Sequence, residues 1–456
     1  MKLFVTILEE TPERALEAIR RIDADHDGIE IRGERFATPI DFRALRGATA
    51  KPIIFTRRGQ PFDSDVFRDA LGARIDFIDV EYVPGLSLDR RDRVVLSHHD
   101  FEGMPDVETI HRDMCATGCA HVKIAVTPKT FADNERLLAV LRAPSPEPRT
   151  TIIGMGEHGL YSRILAPFRG SLLQFVSRTE EESAAPGQLD LRRALAIYGE
   201  RRDVLRAERV FALVGNPAGH SLSPTIHNPL FREKGVPAAY TIASVDAFDE
   251  ITKSFLNGEP YGLSVTVPFK VDAYRFAQAC KADLGENARE CEAVNTLMNT
   301  NGGQILADNT DVDGFESILR DVCGRDRKSV ALVGAGGTAR AALVALRRAA
   351  MHVTVFNRTA ERGSELASRF DVRSEPLEHL QRFDGDVVIN TTTPNAEIPV
   401  PSRPGLTYIE SAYGSPMTAR RHARLRENGV QVYDGLDLLR GQAVRQNELF
   451  MRAFQR

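Results

Sequence analysis

Short runs of apolar, often β-branched residues recur through the first part of the chain: Leu3 to Leu8, Gly28 to Arg32, Pro52 to Arg58, Arg74 to Tyr82, Arg93 to His99, His121 to Val126, Thr150 to Gly156 and Ser171 to Ser177. Between them, segments such as Pro12 to Ile22 and Phe131 to Leu141 carry their apolar side chains at helical spacing. Strand and helix patterns that alternate in this way predict a parallel sheet rolled into a (β/α)8 barrel. A helix from Leu189 to Tyr198 is expected to close it.

In such a barrel the chemistry gathers where the strands end at their C-terminal face. The polar residues at or beyond those ends are Glu30, Arg32, Arg58, Glu81, His99, Lys123 and Arg163. Lys123 interrupts the apolar run His121-Val-Lys-Ile-Ala-Val126, and burying an ammonium in a strand is costly unless it is paired or used. A strand lysine at a solvent-facing sheet edge is the bland reading, but a closed barrel has no edge. Desolvated beside other cations, such a lysine becomes an amine able to form a Schiff base with a ketone. His99 follows Val94-Val95-Leu96 and could serve as general acid and base, although a lone histidine is more often structural.

A charged stretch, Gly199 to Arg209, precedes a new strand, Val210 to Val214, and reads as a linker with a domain boundary near Ala207. Further on, strand Val330 to Val333 runs into Gly334-Ala-Gly336-Gly337-Thr-Ala339 and a helix opening near Arg340. Gly334 permits the tight turn, Gly336 the close approach of a pyrophosphate and Ala339 close helix packing, with the phosphates over the helix N-terminus. A second strand, Val353 to Phe356, completes a Rossmann unit. At its end, where NAD enzymes place an acidic residue, stand Asn357, Arg358 and Thr359, with Arg362 following. That basic cluster favours NADP over NAD, the alternative being a solvated patch.

The chain has 456 residues, 42% hydrophobic and 27% charged, enough for about two or three domains. A net charge of -4 gives no reason to expect nucleic acid. Met1 to Glu10 lack a signal-peptide pattern and no stretch is apolar enough to span a bilayer, so the expected compartment is the cytoplasm, without membrane partners. The five cysteines are scattered; Cys115 and Cys119 share a helical pattern that reads as core packing, and no metal site is expected.

The first half resembles type I 3-dehydroquinate dehydratase through Glu30-Ile-Arg32, Ile54-Phe-Thr-Arg-Arg58, Asp79-Val-Glu81, Ser97-His-His-Asp-Phe101, Val122-Lys-Ile124, Ser162-Arg163 and Ala185-Pro-Gly-Gln188. The resemblance implies that Lys123 forms an iminium with the C3 ketone of 3-dehydroquinate. His99 would remove the C2 proton and protonate the departing C1 hydroxyl, with Glu30 pairing with or orienting it. Arg163 would grip the substrate carboxylate, while Arg32, Arg58 and Gln188 hold ring hydroxyls. Ala184 stands where the family usually has Ser, and Gly33-Glu34 replaces an apolar-Asp pair, a change expected to leave the chemistry untouched.

The second half carries Gly215-Asn-Pro-Ala-Gly-His-Ser221-Leu-Ser223-Pro224, Ser264-Val-Thr266-Val-Pro-Phe-Lys270, Ala293-Val-Asn295-Thr296 and Asn309-Thr-Asp311-Val-Asp-Gly314. Singly these could be turns or caps. In this order, with Gln442 near the C-terminus, they resemble shikimate dehydrogenase. The resemblance implies that Ser221 and Ser223 bind the substrate carboxylate and that Thr266, Asn295 and Gln442 contact ring hydroxyls. Lys270 and Asp311 would flank the reacting oxygen, and Tyr413 would face the substrate. Ser264 replaces the usual Asn, and Asn395 a usual Gly.

Expected domains are therefore a barrel at 1–207, a shikimate-binding lobe at 208–310 completed by a helix at 436–456, and a Rossmann NADP-binding lobe at 311–435. The expected function is dehydration of 3-dehydroquinate to 3-dehydroshikimate, then NADPH-dependent reduction to shikimate, with the two activities separable near Ala207. A catabolic, NAD-linked quinate/shikimate dehydrogenase, a non-catalytic metabolite sensor and an aldolase-like Schiff-base enzyme fused to a reductase are the competing readings. Arg358 argues against the first, and the intact Lys123, His99, Lys270 and Asp311 against the second. Glu30, Arg163 and the Ala185-Pro-Gly-Gln188 run argue against the third.

Overall fold

A computed structural model describes residues 1–22, 25–59, 64–86, 88, 91–142, 149–323 and 327–454. The chain forms two compact units, Met1–Leu213 with Pro217–Lys253, and Val214–Asn216 with Ser254–Arg456.

The first unit is built on eight parallel strands: β1 (Lys2–Ile7), β2 (Gly28–Arg32), β3 (Ile53–Thr56), β4 (Phe77–Glu81), β5 (Val94–Asp100), β6 (His121–Val126), β7 (Arg149–Gly154) and β8 (Leu173–Val176). Hydrogen-bonded neighbours run β7-β6-β5-β4-β3-β2-β1-β8. The roll is nearly closed: β7 and β8 share no ladder, and the seam is made by Leu172 N to Thr150 O (2.9 Å), Leu173 N to the Thr151 hydroxyl (3.1 Å) and Ile152 N to the Ser171 hydroxyl (3.2 Å). The expected edgeless barrel is thus a sheet with one polar seam, and Lys123 lies on β6, one strand in from it, with the seam residue Thr151 as its register partner. Phe4, Ile54, Val95, Ala125, Ile153, Leu173 and Phe175 form one cluster contributed by alternate residues of six strands and their ends. The helix Phe131–Ala139 starts at a capping box between Thr130 and Asp133, and Leu191–Tyr198 starts where the Asp190 side chain accepts from Arg193 N.

The charged stretch after Gly199 is fixed rather than free. Arg202 is buried and pairs with Asp25 (2.7 Å) and Asp27 (2.9 Å) beside the start of β2. The same unit continues through part of β9 (Arg209–Gly215), the helix Ser223–Glu233 and β10 (Ala238–Ser244). Thr241 donates its hydroxyl to Tyr161 O (3.0 Å), and Arg232 reaches Ala196 O (2.8 Å), so residues beyond Ala207 pack on the barrel's own helices.

The second unit holds a small mixed sheet and a parallel one. The small sheet contains β11 (Gly262–Val265), β12 (Asp283–Leu284), β13 (Thr296–Asn299) and β14 (Ile305–Asp308); β13 runs antiparallel to β11 and β14, and β12 parallel to β14. The parallel sheet contains β15 (Ser329–Val333), β16 (His352–Asn357), β17 (Arg373–Pro376), β18 (Val387–Asn390), β19 (Thr407–Glu410) and β20 (Gln431–Tyr433), ordered β17-β16-β15-β18-β19-β20. Its order reverses between β15 and β18, the crevice where dinucleotides bind in this fold. Alternate residues feed two cores: Val330 and Leu332 lie in one, Ala331 and Val333 in the other. The helices Asp311–Cys323 and Gly435–Met451 cross where Gly441 meets the backbone of Gly314, a Cβ at Gly441 coming within 3.1 Å of the Gly314 Cα. That close approach carries Gln442 onto the first helix's start.

Candidate active sites

The barrel interior holds a lysine and a carboxylate in contact. Lys123 Nζ donates to Asp79, and the other Asp79 oxygen accepts from the Ser97 hydroxyl at 2.5 Å. The ladder sets Ser97 level with Lys123 on β6 and with Glu81 on β4, and Asp79 lies two residues before Glu81, on the same face of the sheet. All three of Lys123, Asp79 and Ser97 are buried, and Lys123 Nζ also lies 4.8 Å from the centre of the Phe175 ring. Burial alone would raise the Asp79 carboxyl; Lys123, His99 and the Lys123 and Ser97 hydrogen bonds outweigh it and hold it below its ordinary value. The partner of Lys123 is therefore a carboxylate, where the sequence led us to expect a neighbourhood of cations.

His99 is held by Glu81. The carboxylate meets the ring at Nδ1 (2.7 Å) and accepts the backbone N–H of His99 (2.8 Å). Phe101 stacks on the imidazole, with ring centres 6.1 Å apart and planes 7° from parallel. Burial, then the nearby Lys123 charge, lower the imidazole pKa below its ordinary 6.5, against the opposing pull of Glu81. Neutral imidazole is the form a general base needs.

Glu30, expected to pair with or orient His99, has other partners in this structure. Glu30 accepts hydroxyl protons from Thr6 (2.8 Å) and Thr56 (3.0 Å), while the residue that orients His99 is Glu81. Both carboxylates end a strand pattern, and only the register, with Glu81 beside Ser97 on the neighbouring β5, separates them. Arg32 pairs with Glu34 (2.5 Å), so the Gly33-Glu34 departure does touch a predicted substrate contact. Burial lowers the Arg32 pKa, but Glu30 and Glu34 reverse the sign and it ends raised.

Arg58 and Arg163 have open donors. Arg58 lies 4.9 Å from the Phe101 ring centre, and its Nε finds no acceptor among the described residues. Burial, then the Arg32 charge, lower its pKa. Arg163 is fully buried, donates Nη1 to Pro186 O (3.2 Å), and its Nε has no acceptor among the described residues. Desolvation brings its pKa from 12.5 down to about 10. Gln188 donates to the Thr6 hydroxyl (3.3 Å) and accepts from Ala184 N (2.6 Å), so the position where Ser was expected takes part through its backbone.

A second lysine–carboxylate pair lies in the other unit. Lys270 Nζ donates to Asp311 (2.5 Å) and to the Thr338 hydroxyl (2.9 Å). Asn295 Nδ2 reaches Asp311 (2.9 Å), Thr310 (3.1 Å) and Gln442 (3.2 Å), binding four of the motif residues into one buried network. Thr266 is half-buried, its backbone N–H donating to Val214 O (2.9 Å). Ser264 donates its hydroxyl to Gln446 (2.7 Å), which also donates to Thr296 (2.7 Å). Thr310, Thr338 and Gln446 were not singled out from the sequence; Gln446, one helical turn beyond Gln442, carried the only periodic signal. Ser221 and Ser223, in the first unit, are buried and share a hydroxyl–hydroxyl bond of 3.1 Å. Tyr413 is half-buried after β19.

The cofactor loop fits a dinucleotide. Gly334 has φ +112°, and the space beside Gly336, where a Cβ would stand, is open among the described residues. A Cβ on Gly337 would come within 2.8 Å of Lys270 Cβ, so this glycine is needed for the lysine's approach as well. Ala339 is buried in the helix. Beyond the loop is a cavity of about 400 Å³ lined by Ala335, Arg275, Arg340, Arg362 and Arg369 among others. Arg358 and Thr359 are exposed, and Asn357 Nδ2 donates to Thr359 O (2.7 Å), shaping the turn.

Residues 3–203 match the model for type I 3-dehydroquinase, 213–297 that for the shikimate dehydrogenase substrate binding domain, and 318–401 that for shikimate/quinate 5-dehydrogenase. A shikimate dehydrogenase (NADP(+)) of Vibrio campbellii is 35% identical over 247 residues, which cover 51% of this chain and 87% of that protein. The chain belongs to the shikimate dehydrogenase family, with a type I 3-dehydroquinase domain ahead of it. The same pairing occurs in the chloroplastic bifunctional 3-dehydroquinate dehydratase/shikimate dehydrogenase of Arabidopsis thaliana, 28% identical over 90% of this chain and 74% of the plant protein. The shikimate biosynthesis protein AroDE of Chlamydia pneumoniae is 28% identical over 79% of this chain and 74% of its own. This member of the family has a nearly closed parallel barrel followed by a Rossmann-like sheet.

Proposed function

We propose that the chain converts 3-dehydroquinate to shikimate in two steps, each centred on one of the two lysine–carboxylate pairs. The enzyme is a dehydratase joined to a shikimate dehydrogenase of the shikimate pathway, and its cofactor is NADP(H). The observation that carries the residue-level reading is that Lys123 with Asp79 and Lys270 with Asp311 are buried in the midst of the other motif residues.

In the barrel, the Lys123 amine, its proton given up to water, attacks the C3 ketone, and loss of water leaves an iminium. That cation acidifies the C2 proton, which His99 removes while Glu81 holds its ring; protonated His99 then delivers the proton to the leaving C1 hydroxyl, and water releases the product from Lys123. Arg163 binds the carboxylate; Arg32, Arg58 and Gln188 hold the hydroxyls. Glu30, bonded by Thr6 and Thr56, acts at one remove by fixing the floor under Gln188.

In the dehydrogenase, Ser221 and Ser223 take the carboxylate, and Thr266, Asn295, Gln442 and Tyr413 the ring. NADPH supplies the hydride when bound. Lys270 gives the proton to the carbonyl oxygen, and Asp311 and Thr338 hold its ammonium in place. Gly334, Gly336, Gly337, Ala339, Asn357 and Thr359 shape the pyrophosphate turn, and Arg358 and Arg362 meet the 2′-phosphate. The domain limits that go with this reading are 1–207, 208–310 with 436–456, and 311–435, and the compartment is the cytoplasm, although the plant relative is chloroplastic.

Purified protein given 3-dehydroquinate and NADPH should consume NADPH and yield shikimate. If 3-dehydroshikimate is reduced but 3-dehydroquinate gives no product, the barrel reading fails. If 3-dehydroshikimate accumulates without NADPH loss, the dehydrogenase reading fails.

A further inference from the structure

The loop that carries Ser221 and Ser223 is pinned by two side chains from the barrel. Glu157, just past β7, accepts at Oε1 from Ala218 N (2.9 Å), Gly219 N (2.6 Å) and the Ser244 hydroxyl (2.7 Å). Arg193, in the helix that closes the barrel, donates Nη2 to Gly219 O (2.8 Å) and Ser221 O (2.9 Å). Successive peptide groups of the serine loop are thus gripped from both polarities, N–H by an anion and C=O by a cation, and the pair of charges is a matched one. A Cβ on Gly219 would come within 2.4 Å of Glu157 Oε2, so the glycine is what lets the carboxylate come this near. Burial alone would raise the Glu157 carboxyl, yet the bonds from Ser244, Gly219 and Ala218 bring it below its ordinary value, as a carboxylate used as an acceptor requires. The loop in turn holds Ser221 N on Ala218 O (3.0 Å), and Ser221 and Ser223 bond each other, so the peptide plane at 218–219 sets where both hydroxyls stand.

We propose that Glu157 and Arg193 are positioning residues through which the dehydratase barrel sets the carboxylate-binding serines of the dehydrogenase. Neither has a part in the dehydration chemistry. The inference rests on the reading of Ser221 and Ser223 as the carboxylate grip. Glu157 lies in the same turn-and-helix segment as Arg163, six positions away, so one segment of the barrel serves the carboxylate in both reactions.

The test uses the full chain and steady-state kinetics of each step. Both side chains make charge-assisted bonds to the loop, so Glu157→Ala and Arg193→Met should each raise the KM for 3-dehydroshikimate roughly tenfold or more. The KM for NADPH and the dehydratase kcat/KM should stay within about twofold. Glu157→Gln, which keeps an acceptor oxygen, should recover part of the loss. The preference for 3-dehydroshikimate over its carboxamide should fall along with the KM effect, a signature that general loosening would not give. Ser221→Ala and Ser223→Ala are measured beside them. If the serine variants lose carboxylate preference and the Glu157 and Arg193 variants keep it, the positioning role is wrong and the serine reading stands. If the serine variants keep it, the serine reading falls and takes the inference with it. A variant that fails to fold is recognised by loss of dehydratase activity, and Arg193→Met then carries the decision; equal loss of both activities in every soluble variant overturns the proposal.

Discussion

Replacing Arg163 with Met should make the protein more stable and less active at once. The guanidinium is fully buried, and among the described residues its only hydrogen bond runs to Pro186 O, with no carboxylate to balance its charge. Its pKa falls from 12.5 to about 10, so at neutral pH the charge is carried in both folded and unfolded states and the native state bears the full cost. At about 1.4 kcal/mol per unit, that cost is roughly 3 kcal/mol. Because a cation with a depressed folded pKa destabilises below that pKa, the cost is constant from neutral pH to about 10 and is relieved only as pH rises toward 12.5. Methionine is of similar reach and carries no charge. The lost bond to Pro186 is worth about 1 kcal/mol, and Pro186 O keeps the Gly156 N–H at 3.0 Å, so no acceptor is orphaned. The net expectation is a gain of about 2 kcal/mol, which for a domain of this size is an apparent Tm raised by several degrees.

Activity should move the other way. A two-pronged guanidinium–carboxylate contact is worth about 3 kcal/mol or more, so kcat/KM for 3-dehydroquinate should drop roughly a hundredfold or more while reduction of 3-dehydroshikimate is untouched. Arg163→Lys keeps the charge without the fork and should restore little of the activity. The assays are thermal or denaturant unfolding and dehydration followed by absorbance of the enone product. A variant that is less stable and binds substrate normally would refute the reasoning, because Arg163 would then be a structural residue whose burial is compensated by groups other than substrate.

Borohydride added with 3-dehydroquinate should leave a ligand adduct on the peptide holding Lys123, and Lys123→Ala should abolish both adduct and dehydration; mass spectrometry of the digest decides. Glu81→Gln removes the influence that raises the His99 pKa against burial and Lys123, so the acid limb of the dehydratase kcat/KM profile should move to lower pH; a limb that stays put or moves up would sink the pairing. Arg358→Ala and Arg362→Ala should each cost roughly tenfold in NADPH preference over NADH, read as the ratio of kcat/KM values, and an unchanged ratio would remove the residue from the phosphate site. A fragment ending at Ala207 should melt below the barrel in the full chain, because it lacks the Thr241 to Tyr161 and Arg232 to Ala196 contacts; equal melting temperatures would restore the reading of 199–209 as a linker.

Periodicity carried the barrel well because each of its strands is buried over a run of at least three successive residues, so the apolar pattern and the fold report the same constraint. β2 and β6 begin and end at the residues the pattern marked, Gly28–Arg32 and His121–Val126. Residue type also marked the candidate nucleophile: a lysine amid Val122, Ile124 and Val126 is costly to bury unless paired or used. What the pattern could not give was partnership. Glu30 and Glu81 look alike in sequence, and Asp79, two residues before Glu81, is one more strand carboxylate. The choice among them depends on which residues share a register across β4, β5 and β6, and register is a long-range quantity that local spacing does not encode.

The segment after Gly199 shows the same limit from the other side. Glu200, Arg201, Arg202, Asp203, Arg206, Glu208 and Arg209 make it look solvated, and charge-rich stretches usually are. Composition, however, says how much a segment gains from water and nothing about what waits for it on the protein. Here Asp25 and Asp27 wait for Arg202, and the peptide oxygens at the end of Leu191–Tyr198 wait for Arg232. A cation that finds a rigid pair of carboxylates gives up less freedom than one that must recruit a mobile partner, so a charged stretch can be as well ordered as the core it skirts. The same physics applies at Glu157, whose three donors all lie more than sixty positions away. Electrostatic grips of this kind join distant parts of the chain with no apolar signature in the sequence, which is why the tie between the barrel and the serine loop became visible only in three dimensions.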